Sequence, residues 1–216
     1  MNKLFAIFDM DGTLVDSMVY WQRLGREYLA SRGITENVDE VMERVKPMTM
    51  LESAALFIET FSLPGTPESV AAEMNAVMDA HYREDVPLKA GARDYLEALK
   101  ARGARMCVAT ATPEHLARLC LERLEVADLF DFILSCETVA SGKDRPDVFL
   151  EAARRLGTAP ADTAAFEDAF FAAQTAKSAG FYTVGVYDPA GAARWQDMTA
   201  LADETVPDWA EAAKAL

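Results

Sequence analysis

The chain has 216 residues, 51% of them hydrophobic and 26% charged, which is enough to bury a sizeable core without disulfide or metal staples. A net charge of −14 disfavours both a nucleic-acid partner and an anionic membrane surface, because each is bound mainly through Lys and Arg. The length exceeds one average domain, so one domain carrying an insert, or two small domains, is expected.

Leu4–Phe8 is short, apolar and aromatic and runs straight into Asp9 and Asp11, which predicts a buried strand. It is too short for a signal-peptide core or a membrane span. From Asp16 to Val86 only helical patterns occur: Ser17 to Arg32, Val38 to Lys46, Leu51 to Phe61, and a helix capped by Thr66-Pro67 that runs to about Glu84. This all-helical insert holds half of the net charge. Tyr95, Leu96 and Leu99 mark a helix that stops at Gly103, followed by a strand at Arg105–Ala109 ending at Thr110. Thr112-Pro113 reads as a cap and first helical position ahead of the stripe Leu116, Leu119, Cys120 and Leu124. Strands are then expected at Phe132–Cys136, Thr163–Phe166 and Tyr182–Tyr187, with a helix from Pro146 to Gly157 and an alanine-rich helix from Asp168 to Ala179. Short apolar strands alternating with helices predict an α/β fold with a parallel sheet. Cys107, Cys120 and Cys136 form no C-x-x-C pair; buried, reduced thiols and a cytoplasmic location are expected.

The residues able to carry chemistry sit where these strands end. Asp9 and Asp11 follow the first strand, and ligands of open parallel sheets bind beyond the carboxyl ends of the strands. Two such carboxylates about 4 Å apart repel by roughly 4 kcal/mol at an effective dielectric of 20, so a proton or a cation must relieve them. If the fourth strand lies beside the first, Glu167 and Asp168 bring the converging carboxylates to four. All-oxygen ligands favour a hard cation such as Mg²⁺, and zinc is disfavoured because no His or Cys stands next to these acids in the sequence. Thr110, at the end of the second strand, could bind an anion with its hydroxyl. Lys143 follows Gly142 in a polar loop and gains weight only from its place in this series.

Asp9-Met10-Asp11-Gly12-Thr13-Leu14-Val15-Asp16-Ser17, then Val108-Ala109-Thr110, then Gly142-Lys143 with Pro146-Asp147-Val148-Phe149, then Phe166-Glu167-Asp168 form an ordered set covering nearly the whole chain. The set resembles the haloacid dehalogenase superfamily, in its phosphatase and β-phosphoglucomutase-like branch. The resemblance implies a Rossmann-like catalytic core (1–15 plus 87–216) with an inserted all-helical cap (16–86). It implies Asp9 as nucleophile giving an aspartyl-phosphate, and Asp11 as the acid that protonates the leaving oxygen and then activates water. Mg²⁺ would be held by Asp9, Asp168 and the backbone carbonyl of Asp11, with Glu167 assisting, while Thr110 and Lys143 would bind phosphoryl oxygens. The implied activity is a Mg²⁺-dependent phosphatase of small phosphorylated metabolites, acting as a monomer or weak dimer.

Several positions depart from that pattern. Ala111 stands where asparagine is common, Asp144 where proline is frequent, and Ala169 and Ala172 where serine and glycine are usual. Trp21 occupies the place of a mutase histidine, and Lys46-Pro47-Met48-Thr49-Met50 lacks the mutase cap arginine. A phosphomutase of sugar phosphates is therefore the second enzyme reading. A regulatory or binding module on the same fold is the non-enzyme alternative, and the intact Asp9, Asp11, Lys143 and Asp168 argue against it.

Overall fold

The computed structural model describes residues 3–45 and 48–216. Lys46 and Pro47, the start of the loop compared with the mutases, lie outside the described residues. The chain separates into two compact units: the N-terminal segment up to Met18 together with Val86–Leu216, and Val19–Asp85.

The first unit is built on a parallel six-stranded sheet. Its strands are β1 (Phe5–Phe8), β2 (Arg105–Thr110), β3 (Phe132–Ser135), β4 (Thr163–Glu167), β5 (Tyr182–Val186) and β6 (Glu204–Val206). They lie in the order β3-β2-β1-β4-β5-β6. The order reverses direction between β1 and β4, which is the crevice where open α/β sheets bind ligands. Phe8 pairs in register with Val108 on one side and Phe166 on the other, and the Phe8 and Phe166 rings stack at 4.3 Å. The middles of the central strands are apolar and buried, as expected of a parallel sheet covered by helices on both faces.

The second unit contains nearly all of α1 (Met18–Ser31), then α2 (Asp39–Val45), α3 (Met50–Phe61) and α4 (Pro67–Glu84). Thr49 and Glu52 close a reciprocal capping box at the start of α3. Thr66 caps α4 through the Ser69 amide, with Pro67 in its first turn. The helices bury Leu24, Tyr28, Phe57, Met74, Met78 and Tyr82. Trp21 donates its indole N–H to the Tyr82 hydroxyl at 3.1 Å, and the Tyr20 ring lies tilted against His81 at 4.6 Å, so both aromatics take part in packing inside this unit.

Back in the first unit, the sheet is flanked by α5 (Ala92–Ala101), α6 (Glu114–Arg123), α7 (Cys136–Val139), α8 (Asp147–Leu156), α9 (Phe170–Ser178), α10 (Trp195–Leu201) and α11 (Trp209–Lys214). The stripe Val148, Phe149, Ala152, Ala153 and Leu156 of α8 packs on Ile7, Cys107 and Leu134 in one buried cluster. Trp209 of α11 is buried and donates its indole N–H to the Thr13 carbonyl at 2.9 Å, tying the C-terminal helix to the turn after β1. The returning segment is tied to the same turn: Asp16 N–H donates to the Pro87 carbonyl (2.9 Å) and Lys89 N–H to the Leu14 carbonyl (2.8 Å). The three cysteines are buried and free of disulfides.

Two local expectations are corrected. Thr112 does not cap α6: the helix begins at Glu114 with Pro113 at the cap position and no side-chain cap bond, because the Thr112 hydroxyl is drawn to Asp11. Cys136 does not end β3 but opens the short helix α7, where the Ser135 hydroxyl caps the Glu137 amide. The strand β6 lacked an expectation altogether, being three residues long at the sheet edge, too short for a period to show.

Candidate active site

The site begins where β1 stops. Asp9 N–H still donates to the Phe166 carbonyl (3.0 Å), so the first acid is fixed by the sheet itself and is buried. Beyond it the chain turns sharply: Leu14 N–H reaches the Met10 carbonyl (2.9 Å) and Gly12 N–H the Val15 carbonyl (3.0 Å). Gly12 holds φ +81°, and a Cβ there would collide with the Asp168 carboxylate. Glycine is thus required both by the backbone and by the acid beside it. Thr13 donates from its hydroxyl to Asp168 Oδ1 at 3.3 Å.

Because β4 pairs with β1, Glu167 and Asp168 arrive next to Asp9. One carboxylate oxygen from each of Asp9, Glu167 and Asp168 lies within 4.8 Å of the others. Lys143 reaches in from the loop before α8. It is buried, with its ammonium donating to Asp9 Oδ1 and, at 2.7 Å, to Glu167 Oε1. The sequence placed this lysine in a polar loop; the fold turns it inward as the counter-ion of two acids. Its loop is held by Asp147, which accepts from Ser141 Oγ and Arg145 Nε, each at 3.1 Å.

The expected convergence of four carboxylates is corrected to three. The Asp11 side chain is not in the cluster: one of its oxygens accepts from Ser17 Oγ (2.7 Å) and the other from Thr112 Oγ1 (2.7 Å), with Thr110 Oγ1 at 3.5 Å. Thr110 also accepts from the Thr112 amide at 3.0 Å. Two hydroxyls hold its two oxygens, and like charge repels Asp11 from the other acids. Ser17 and Thr112 are the partners that sequence reasoning did not assign; both are common polar residues whose only signal is a tertiary contact.

The electrostatics follow from burial and crowding. Desolvation raises the pKa of Asp9; Lys143 pulls it back and Asp11 pushes it up again. Glu167 is raised well above the usual carboxylate range, first by burial and against the opposing effect of Lys143. Asp168 is pushed up to about 7, by burial first and then by the charges of Asp9 and Asp188. For Lys143, burial disfavours the ammonium, but Asp9 and Glu167 outweigh it and raise its pKa. One ammonium therefore faces a three-acid cluster.

Comparison with known proteins identifies the family. The family described as haloacid dehalogenase-like hydrolase matches residues 5–180. β-Phosphoglucomutase of Bacillus subtilis is 32% identical, covering 84% of this chain and 82% of its own. Hexitol phosphatase B of Escherichia coli K12 is 30% identical over 86% of this chain and 84% of its own. The crystal structure of CbbY from Rhodobacter sphaeroides in complex with phosphate superimposes with a TM-score of 0.70 at 26% identity, covering 99% of this chain and all of that one. The matched span contains every residue of the site just described, and the chain belongs to the haloacid dehalogenase-like hydrolases.

Proposed function

We propose that this chain hydrolyses small phosphate monoesters as a phosphatase, with Asp9 as the group that accepts phosphorus. The observation that carries the reading is the position of Asp9: buried, fixed by the sheet at the switch point, bonded to Lys143 and clustered with two more acids. A negative nucleophile must meet a negative ester, so cationic groups have to be in place beforehand.

The donor set fits a hard divalent cation. Three carboxylate oxygens from Asp9, Glu167 and Asp168 converge, all ligands are oxygen, and one ammonium leaves the cluster short of positive charge. Asp9 and Asp168, with the backbone carbonyl of Asp11 and assistance from Glu167, would hold Mg²⁺. When bound, Mg²⁺ supplies positive charge against the phosphoryl oxygens.

The chain's own residues do the rest. An Asp9 carboxylate oxygen attacks phosphorus, and the bond from phosphorus to the ester oxygen breaks. Asp11, in its acid form, gives a proton to the departing oxygen. The Asp11 carboxylate then takes a proton from water as that water attacks phosphorus, the Asp9–phosphorus bond breaks, and phosphate leaves. Covalent capture thereby divides one slow displacement into two easier ones. To deliver its proton, Asp11 must release at least one of the hydroxyls that now hold it, Ser17 or Thr112. Lys143 opposes the effect of burial on Asp9 by pulling its pKa back down, and presents its remaining donor capacity to the phosphoryl oxygens, which Thr110 also serves. The helical unit Val19–Asp85 is the insert that we assign as the cap domain. The substrate is a small phosphorylated metabolite. Among the described residues no helix is long and apolar enough to cross a membrane.

The relative from Bacillus subtilis keeps a mutase reading as the alternative. Conversion of sugar-phosphate isomers without phosphate release would favour it. The direct test is Asp9→Asn: release of phosphate from p-nitrophenyl phosphate disappears while circular dichroism stays native. Unchanged turnover in that variant refutes the nucleophile.

A further inference from the structure

Next to Asp168, and wholly within the sheet-bearing unit, lies a hollow of about 290 Å³. Phe170 and Phe171 form one wall directly after the acid pair, and the segment after β5, from Asp188 to Met198, forms the other. No hydroxyl, amide or histidine side chain lines it. Its two charged side chains besides Asp168 are held in place by partners. Asp188 accepts from Lys89 Nζ at 2.6 Å on one oxygen and from the Ala190 amide at 2.8 Å on the other. Arg194 bonds to Asp197 at 2.5 Å and lays its guanidinium over the Phe170 ring at 4.1 Å. Phe171 is 56% exposed, the most of any large hydrophobic side chain among the described residues. Its neighbour Ala172 is fully buried, so packing of α9 does not call for a phenylalanine at the exposed position.

We infer that this hollow is a leaving-group subsite that takes a flat, unsaturated ring, selecting phosphate esters of aromatic or ring-bearing alcohols over esters of plain polyols. The inference rests on the phosphatase reading, because it is Asp168 that joins the hollow to the phosphoryl centre. A polyol placed here would give up water for a mostly apolar lining with no hydroxyl or amide side chain, exchanging many hydrogen bonds for the few that the Trp195 indole and the Arg194 guanidinium can donate. A flat ring loses nothing by leaving water. It covers the exposed face of Phe171 and meets an aromatic and guanidinium surface already ordered by the stacking of Arg194 on Phe170. The volume is at the small end for ligand pockets, suited to a one- or two-ring group.

The test is calorimetric binding to the whole chain with Mg²⁺ present, using phosphonates, whose carbon–phosphorus bond is not hydrolysed. 1-Naphthylmethylphosphonate binds about ten-fold tighter than methylphosphonate, the equivalent of one buried aromatic contact. A polyol-bearing phosphonate of similar size gains nothing over methylphosphonate. In Phe171→Ala the naphthyl advantage collapses toward one. Equal or unmeasurable affinities in the unsubstituted protein, a preference for the polyol, or a naphthyl advantage untouched by Phe171→Ala each overturn the subsite. Hydrolysis of acetyl phosphate by the unsubstituted protein is measured alongside. Its absence with the naphthyl preference intact overturns the phosphatase reading and supports the pocket as a ring-binding site.

Discussion

Lys143→Met is the substitution whose cost follows most directly from the geometry. Methionine keeps the length and apolar character of the stem and removes only the ammonium, which lies 5.7 Å from the centre of the Phe149 ring. Asp9 and Glu167 are then left buried with no counter-ion between them. With carboxylate oxygens within 4.8 Å of each other, their repulsion is about 3–4 kcal/mol at an effective dielectric of 20. That agrees with the roughly 3–5 kcal/mol typical of breaking a buried pair by deleting one partner. For a urea m-value of about 2 kcal/mol/M, the unfolding midpoint falls by about 1.5–2.5 M at pH 7.5 in EDTA. The deficit shrinks as the pH is lowered. Both acids already have folded pKa values above their unfolded ones, and losing Lys143 raises them further. Protonation therefore favours the folded state, and stability is greatest below the unfolded pKa and lost as pH rises. Added Mg²⁺ stabilises the variant more than the parent. A midpoint equal to the parent's in EDTA at pH 7.5 refutes the assignment of Lys143 as the counter-ion of the two acids.

Other perturbations have outcomes as definite. Because Asp168 is raised to about 7 by burial and by Asp9 and Asp188, the metal-free protein loses stability as pH rises from about 4 through 7, and saturating Mg²⁺ removes that slope; urea midpoints against pH with and without EDTA measure it. Gly12→Ala forces a side chain against the Asp168 carboxylate at a positive φ; the thermal midpoint drops and calorimetric Mg²⁺ affinity falls about ten-fold or more, whereas unaltered affinity removes the proposed role of this turn. Lys89→Met strands the buried Asp188 carboxylate and costs about 3–5 kcal/mol in urea, while replacing Asp188 by Asn in the same chain recovers part of the loss. His81 sits between Asp85 (2.9 Å) and Glu27 (3.1 Å); burial pulls its pKa down, but the bonds to both acids prevail and raise it above 6.5. With two histidines in the chain, its imidazole resonance is assignable by NMR and titrates above that value; its contribution to stability is full below pH 6.5 and fades as pH rises through the raised pKa.

The linear sequence was enough for the alternation of strands and helices, since short apolar runs ending in acids and capped amphipathic stretches are local signals. Thr66-Pro67 predicts its helix start from neighbouring residues alone, and the cap bond to Ser69 is there. Asp9 at the mouth of β1 is legible for the same reason: an apolar strand running into a paired-acid turn is a statement about adjacent residues. What sequence could not decide is what each acid faces. The pairing of β4 with β1 brings Glu167 and Asp168 to Asp9 across more than 150 residues, and no local pattern encodes that neighbour choice. The same holds for Lys143, a loop lysine by sequence and a buried ammonium by structure, and for Asp11, which the nearby Ser17 and the distant Thr112 hydroxyl hold away from the cluster it was expected to join. Short edge elements such as β6 were invisible because three residues carry no period. Local propensity and hydrophobic period fix the elements; the partners of a charge are fixed by burial, where an unpaired carboxylate is too costly to leave alone and the packed chain alone supplies its counterpart.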